Sequence, residues 1–458
     1  MTGRYQAYPE YKESGINWLE SIPAHWEVRP LKHQSSCNDE VINEKTAPDH
    51  EIEYVDIGSV SAVDGISKTE KMLFGNAPSR ARRKVQDGDV IVSTVRTYLE
   101  AIAPITNPPE NMLVSTGFAV IRPNSNFDKG FASYCLRARG FIEEVVTRSV
   151  GVSYPAINST DLINITIPLI PINEQQKIAN FLDHETAKID TLIAKQEKLI
   201  ELLKEKRQAV ISHAITRGIS SQGKPNAPMK DSGVEWLGEV PEHWVVSPLK
   251  YYSKMQGGFA FSSDDFSESG VQLLKIANVY QNRLALERQP TFLNESYLSS
   301  HKDFVVTNGD ILMSLTGTLG KQDYGFAVLV ENNNEFLLNQ RVAKINADKT
   351  NILQEYLLFS LWSDSYLSQL YSLPSGTKQA NLSNDDVMGI VIAFPSTIKE
   401  QEEIVQYVAS KLERFKLLHD RCSKKIDLLK ERKTALISAA VTGKIDVRNW
   451  QLKEVYNG

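Results

Sequence analysis

The chain has 458 residues, with 51 Lys and Arg against 56 Asp and Glu and a formal charge of -5. That is enough for roughly two to four domains with cores of their own, and the mild acidity does not announce nucleic acid, although only a face that meets phosphate has to be positive. No run of about 18 apolar residues is present to span a membrane. The N-terminus lacks the apolar stretch of a signal peptide, and Cys37, Cys135 and Cys422 show no metal-ligand spacing, which suits a reducing cytoplasm.

In chain order, the first landmark is SGINWLESIPAHW, from Ser14 to Trp26, which returns as SGVEWLGEVPEHW from Ser232 to Trp244. Trp18 matches Trp236, an offset of 218, and the likeness runs on through Pro30-Leu31-Lys32 and Pro248-Leu249-Lys250. Repetition at a fixed offset is the mark of a duplicated fold. Val85-Gln86-Asp87-Gly88-Asp89 then matches Val306-Thr307-Asn308-Gly309-Asp310, a turn feeding an apolar strand in each half. Gly151 to Ile167 matches Gly376 to Ile392 at an offset of 225, so insertions fall inside the globular parts while the frame is kept.

Short β-branched runs lie between these landmarks: Ile52 to Ile57, Val90 to Val95 and Leu113 to Ile121, then Leu273 to Ile276, Phe326 to Val330 and Val342 to Ile345. Helical patches follow at Phe131 to Val146 and Gln354 to Leu370. Each globular unit therefore reads as α+β with a mixed or antiparallel sheet.

Asn173 to Gly218 carries apolar residues at helical spacing (Ile178, Leu182, Ile189, Leu192, Leu199, Leu203, Val210) and no Pro or Gly before its end. It predicts one amphipathic helix of roughly 60 Å, too long for one small core to wrap. Its copy runs from Lys399 to Gly443. Two such seams in one chain pair with each other, and a pseudo-twofold relation between the units makes the pair antiparallel. The expected layout is a first domain at 1–172, a helix at 173–218, a polar linker at 219–230, a second domain at 231–398, a helix at 399–443 and a tail at 444–458. The tail from Asp446 is expected to fold back near Ser14 to Trp26 and close the repeat into a cycle.

Catalytic signatures are scarce. Asn107-Pro108-Pro109-Glu110 approaches the Asn-Pro-Pro-aromatic tetrad of DNA amino-methyltransferases, but Glu replaces the ring that stacks on a flipped base, and no Gly-rich turn follows a strand to hold a methyl donor. It reads as a Pro-rich loop. The repeated His25-Trp26 and His243-Trp244 have no second metal ligand nearby and read as packing anchors.

What remains is a surface suited to nucleic acid. Arg80, Arg82, Arg83 and Lys84 form the dense basic run of the globular parts, and Arg96, Thr97 and Tyr98 follow the first Gly-Asp strand. Thr316, Thr318, Lys321 and Gln322 are their counterparts after the second, while Ser153 and Tyr154 match Lys378 and Gln379 in the third landmark. These side-chain types contact base edges and phosphates.

The doubled Ser-Gly-x-x-Trp-Leu segment, the Glu174-Gln175 and Glu400-Gln401 pairs after an apolar strand, and the helices closing on Leu-Leu-Lys-Glu together resemble the specificity subunit of type I restriction-modification systems. The resemblance covers essentially the whole chain. It implies two target-recognition domains, each reading half of a split double-stranded DNA sequence and held apart by an antiparallel coiled coil. It also implies two modification subunits carrying S-adenosylmethionine and the adenine-N6 methyltransferase site, and two restriction subunits using ATP and Mg2+. This chain would then be non-catalytic and bind no cofactor itself. The alternatives are a stand-alone adenine methyltransferase, resting on Asn107-Pro108-Pro109, and a coiled-coil adaptor without DNA reading, favoured by the acidic charge.

Overall fold

The computed structural model describes residues 5–61, 65–219, 227–373 and 379–451; Lys378, most of the linker and the end of the tail lie outside them. The chain forms two compact units, one of Met1–Gln196 with Lys424–Gly458 and the other of Glu197–Ser423. Each contains a globular part and half of each long helix.

In the first unit, Val90–Ser93 lies between Ile102–Pro104 and Phe118–Pro123, and Ser35–Cys37 completes an antiparallel sheet of four strands. A second sheet orders Glu70–Leu73, Glu51–Val55, Met112–Ser115 and Ala81–Lys84, with its two inner strands parallel. The second unit repeats both orders. Ala327–Leu329, Ile311–Ser314, Val342–Ala347 and Ser253–Gly257 make the antiparallel sheet. Phe292–Leu293, Val271–Leu274, Phe336–Leu338 and Val305–Val306 make the mixed one.

Strand alternation explains why the central strands are apolar throughout. Val90 and Val92 face a core that holds Trp26, Phe131 and Phe141, whereas Ile91 faces a separate core with Val114 and Phe118. Ile311 and Met313 divide from Leu312 in the same manner. Short helices cover the first face: Lys129–Cys135 and Arg139–Thr147 in one unit, Gln354–Leu361 and Asp364–Ser372 in the other. Asp128 and Ser363 cap the first and the last of these by accepting from Phe131 N and Tyr366 N.

The long helices are Ile172–Arg217 and Ile398–Val441. In the first unit Ile178, Leu182 and Ile189 share a core with Leu429, Leu436, Ile437 and Ala440. Lys177 Nζ reaches the Arg448 carbonyl at 2.8 Å while Lys433 pairs with Asp190 at 2.7 Å, so the two segments run antiparallel. In the second unit Ile211 and Ile215 share a core with Ile404 and Val408.

The seam differs from the sequence expectation. Leu192 and Leu199 are 40% and 42% exposed, and the partly covered positions are their neighbours Ile193 and Ile200, followed by Leu203 and Arg207. From Ile189 the covered residues step by four and three, a heptad that includes Gln196. One residue is 100° of helix, so a seam chosen one position early points its leucines to solvent.

The Glu-Gln pair at the start of each long helix is a double clamp. Glu174 accepts from Trp26 Nε1 at 3.1 Å and from the Tyr8 hydroxyl at 2.6 Å, and meets His25 Nε2 at 2.9 Å. Glu400 accepts from Trp244 Nε1 at 3.0 Å and meets His243 Nε2 at 2.9 Å. Gln175 accepts from Asp128 N and donates to the carbonyls of Asn126 and Ile170, while Gln401 does the same with Leu353, Asn351 and Pro395. The His-Trp pairs are thus packing anchors whose polar edges are tied to a helix start.

The ends of the helices close on the same tryptophans. Gly218 and Gly443, at φ +75 and +74, end the helices in the left-handed conformation that glycine adopts without penalty. Gly218 lies against Trp244 and Gly443 against Pro23 and Trp26. The tail then follows the N-terminal segment: Lys444 pairs with Glu20 at 3.1 Å, Asp446 N donates to Gln6 O at 2.8 Å, and Arg448 lies over the Tyr8 ring. Trp450 packs edge-on against Phe181. The described part of the tail closes the repeat into a cycle.

Candidate nucleic-acid interface

The two Gly-Asp strands end in equivalent ribbons. In the first unit the chain after Ser93 pairs with the segment before Ile157: Ile157 N donates to Thr94 O at 2.9 Å, and Val95 bridges Ala156. In the second, Leu382 N donates to Leu315 O at 2.9 Å, and Thr316–Thr318 pairs with Gln379–Asn381, setting Thr318 opposite Gln379. Two landmarks about 60 residues apart in sequence are therefore one surface in each unit.

A strand-to-strand turn adjoins each ribbon. Thr94 N donates to Gly117 O at 2.8 Å in the first unit, and Leu315 N to Arg341 O at 3.0 Å in the second. Thr116 N also donates to Arg80 O at 2.8 Å, so the basic run begins beside the first ribbon.

In the first unit Arg96, Tyr98, Ser153 and Tyr154 are exposed together, with the Arg96 guanidinium 5.0 Å from the centre of the Tyr154 ring. Arg96 and Glu100, at φ 51, flank the turn Thr97–Leu99 in left-handed backbone that L residues seldom adopt. Thr97 itself is buried, its hydroxyl 2.7 Å from Ser149 Oγ. Thr318, Lys321, Gln322 and Gln379 are exposed in the second unit, and Thr316 is buried.

The basic run splits because it is a strand. Alternation sends Arg82 and Lys84 to one face and Arg83 to the other. The Arg82 guanidinium stacks on Phe74 at 5.1 Å. Arg83 is half-buried, and burial lowers its pKa because the charged form is poorly solvated there. Arg80 and Lys84 are exposed.

Sequence reasoning overlooked the second-unit turn. LVSTGFAVI, from Leu113 to Ile121, matches LLNQRVAKI, from Leu337 to Ile345, at an offset of 224, which aligns Thr116-Gly117 with Gln340-Arg341. Applying the repeat to this stretch would have found Arg341. Asn107-Pro108-Pro109 sits in the loop after Ile102–Pro104, with Asn107 N donating to Asp87 Oδ1 at 3.0 Å. Among the described residues no group of three or more His, Cys, Asp or Glu is placed to hold a metal, and no helix is long and apolar enough to cross a membrane.

Two copies of one α+β scaffold, each joined to antiparallel helices and each presenting a polar ribbon, define a duplicated recognition protein. The sequence profile described as type I restriction modification DNA specificity domain matches residues 36–202 and 241–426, and the chain belongs to that family of specificity subunits. Among its relatives, the type I restriction enzyme MjaVIII specificity subunit of Methanocaldococcus jannaschii is 27% identical, over 74% of this chain and 76% of the relative. The putative MjaX specificity subunit of the same organism is 25% identical, over 96% and 98%. A chain from a structure titled for complex assembly and conformational transition of the type I R-M system superposes with a TM-score of 0.69 at 21% identity, covering 92% of this chain and 98% of that one. The HsdS subunit from Thermoanaerobacter tengcongensis gives 0.50 at 21%, covering 93% and 98%.

Proposed function

We propose that this specificity subunit reads an asymmetric double-stranded DNA target in two separated parts, one globular unit per part, and scaffolds the subunits that act on it. One observation carries the reading: the two units keep the same strands, the same ribbon and the same Glu-Gln clamp, but present different side chains on the ribbon. Ser153 and Tyr154 stand where the other half has Lys378 and Gln379, and Arg96 and Tyr98 where it has Gly317 and Leu319. A constant frame with exchanged polar tips suits two different short sequences at a set spacing.

In this reading Arg80 and Lys84 neutralise phosphate, while Arg96, Tyr98, Ser153 and Tyr154 in one unit and Thr318, Lys321, Gln322, Lys378 and Gln379 in the other face the bases and sugars. Arg82, Arg83, Thr97 and Thr316 support those positions. Two modification subunits supply S-adenosylmethionine and adenine-N6 methylation, two restriction subunits supply ATP- and Mg2+-dependent translocation and cleavage, and the assembly works in the cytoplasm. This chain contributes recognition and no catalytic group.

The decisive experiment is to express the chain with its modification subunit in a host free of N6-methyladenine and map methylation across the genome. A split motif with one methylated adenine per part is expected, and exchanging one globular unit should change one part alone. Methyl transfer by the isolated chain, or a motif untouched by the exchange, would overturn the proposal.

A further inference from the structure

The globular part of the second unit, residues 231–398, contains three arginines, Arg283, Arg288 and Arg341. Two are committed to their own hairpin: Arg283 pairs with Glu287, and Arg288 stacks on Tyr280 with its guanidinium 3.8 Å from the ring centre. Arg341 is exposed, and among the described residues its side chain has no ion pair, hydrogen bond or ring contact. A free arginine on a turn beside a polar ribbon is available to a ligand.

Its backbone, by contrast, is held from several directions. Leu315 N donates to Arg341 O at 3.0 Å, Val342 N to Asn339 O at 3.0 Å and Asn339 N to Leu274 O at 3.0 Å. Gln340 N donates to the Asn339 side-chain oxygen at 2.6 Å. Gly258 presses on the turn so closely that a Cβ there would lie 2.1 Å from Asn339 O. The base of the side chain is therefore fixed while its tip is unspent, the arrangement that lets a reader bind without first ordering its support.

The first unit carries no arginine on the turn itself, although exposed Arg80 lies beside it. Its turn carries Thr116 and Gly117, and a Cβ at Gly117 would lie 2.4 Å from Ile57 Cδ1, so a long side chain has no room without a shift of that isoleucine. Its exposed ribbon guanidinium is that of Arg96, which lies over the Tyr154 ring. The two units therefore present arginine from different elements.

We infer that Arg341 selects a G·C pair in the half-site read by the second unit, donating through its two-pronged guanidinium to guanine O6 and N7 in the major groove, with Gln340 beside it as a second reader. The inference rests on the DNA-reading function proposed above and adds the residue and the base. Arginine to guanine is the commonest bidentate base contact, and such a contact discriminates by roughly 10- to 100-fold.

The test uses the full chain with its modification subunit in the methylation-free host, comparing wild type, Arg341→Ala, Arg341→Lys and Gly258→Ala by genome-wide mapping. Competition binding of the same complexes to duplexes with single G·C to A·T exchanges gives the fold-change. Arg341→Ala should lose preference for one G·C pair, by roughly 10- to 100-fold, in the second unit's part of the motif and leave the other part intact. Arg341→Lys should keep a weaker preference at that position, since an ammonium cannot form the paired contact. Gly258→Ala, which displaces the turn, should lower discrimination at the same position. Unaltered parts in Arg341→Ala overturn the inference while the proposed function stands. Loss of both parts together makes Arg341 structural and overturns it as well. A wild-type complex without a split motif defeats the proposed function and the inference with it.

Discussion

The two clamps use the same three residue types with nearly the same distances, yet their surroundings differ. The Glu174 side chain is 9% exposed and takes a third partner, Tyr8, from the N-terminal segment, whereas the Glu400 side chain is 31% exposed. The tail explains much of this, because Arg448 lies over Tyr8 and Asp446 binds Gln6 on the same side. A duplicated motif keeps its hydrogen-bond geometry but not its energetic weight. That weight depends on how many buried donors would be left unpaired.

The sharpest way to test the difference is to remove each carboxylate. Glu174→Ala strands the Tyr8 hydroxyl and the Trp26 indole in the core and should destabilise the protein by about 4 kcal/mol, against about 2 kcal/mol for Glu400→Ala, where Trp244 is the buried donor. Midpoints of chemical unfolding would show this, and equal losses would break the comparison.

The closing glycines come next. Gly443→Ala places a methyl 2.3 Å from Pro23 Cδ in left-handed backbone and should cost about 3 kcal/mol, whereas Gly218→Ala meets its nearest atom at 3.4 Å and should cost about 1 kcal/mol from the backbone. Paired thermal unfolding curves would sharpen the asymmetry.

The tail adds a pH dependence to one clamp. The Arg448 guanidinium, hydrogen-bonded to Asp446, holds that carboxyl below its usual pKa of 3.8. Because the folded value is the lower one, the contribution is complete above the ordinary carboxylate range and is lost as pH falls through the depressed pKa. Trp450 fluorescence, referenced to Trp450→Phe, should report release of the tail below about pH 4, and Asp446→Asn should make the signal independent of pH in that range.

The smallest effect belongs to the exposed cations. Replacing Arg80 and Lys84 by Ala should weaken DNA binding evenly across sequences and reduce the salt slope by about one unit for each phosphate no longer neutralised. Replacing Arg82 should instead expose the Phe74 face it covers and act on stability. A salt slope that responds equally to all three would break the division between exposed and supporting arginines.

Much of this molecule was legible from its repeats. Trp18 against Trp236 and Glu174 against Glu400 were enough to establish two α+β units and two long helices, because a duplicated fold repeats its core and its caps. The proposed reading surface was half legible. Matching landmarks pointed to Arg96 and Tyr154, and to Thr318 and Gln379, and folding brings each pair together. Thr97 and Thr316 share those landmarks but face inward, since strand and turn geometry decide which neighbours reach solvent. Arg341 was missed because a lone arginine between two apolar runs carries no local signal.

The sequence by itself determined the duplication, which rests on self-similarity at a nearly fixed offset, and the fold class and helical rods, which rest on periodicity within short windows. Tertiary structure decided the rest. It set the helix seam one residue from Leu192 and Leu199, joined Glu174 to His25 across 149 positions, and brought Lys444 to Glu20 to close the cycle. Those outcomes depend on which distant groups meet, and a side chain's weight comes from the water that meeting removes.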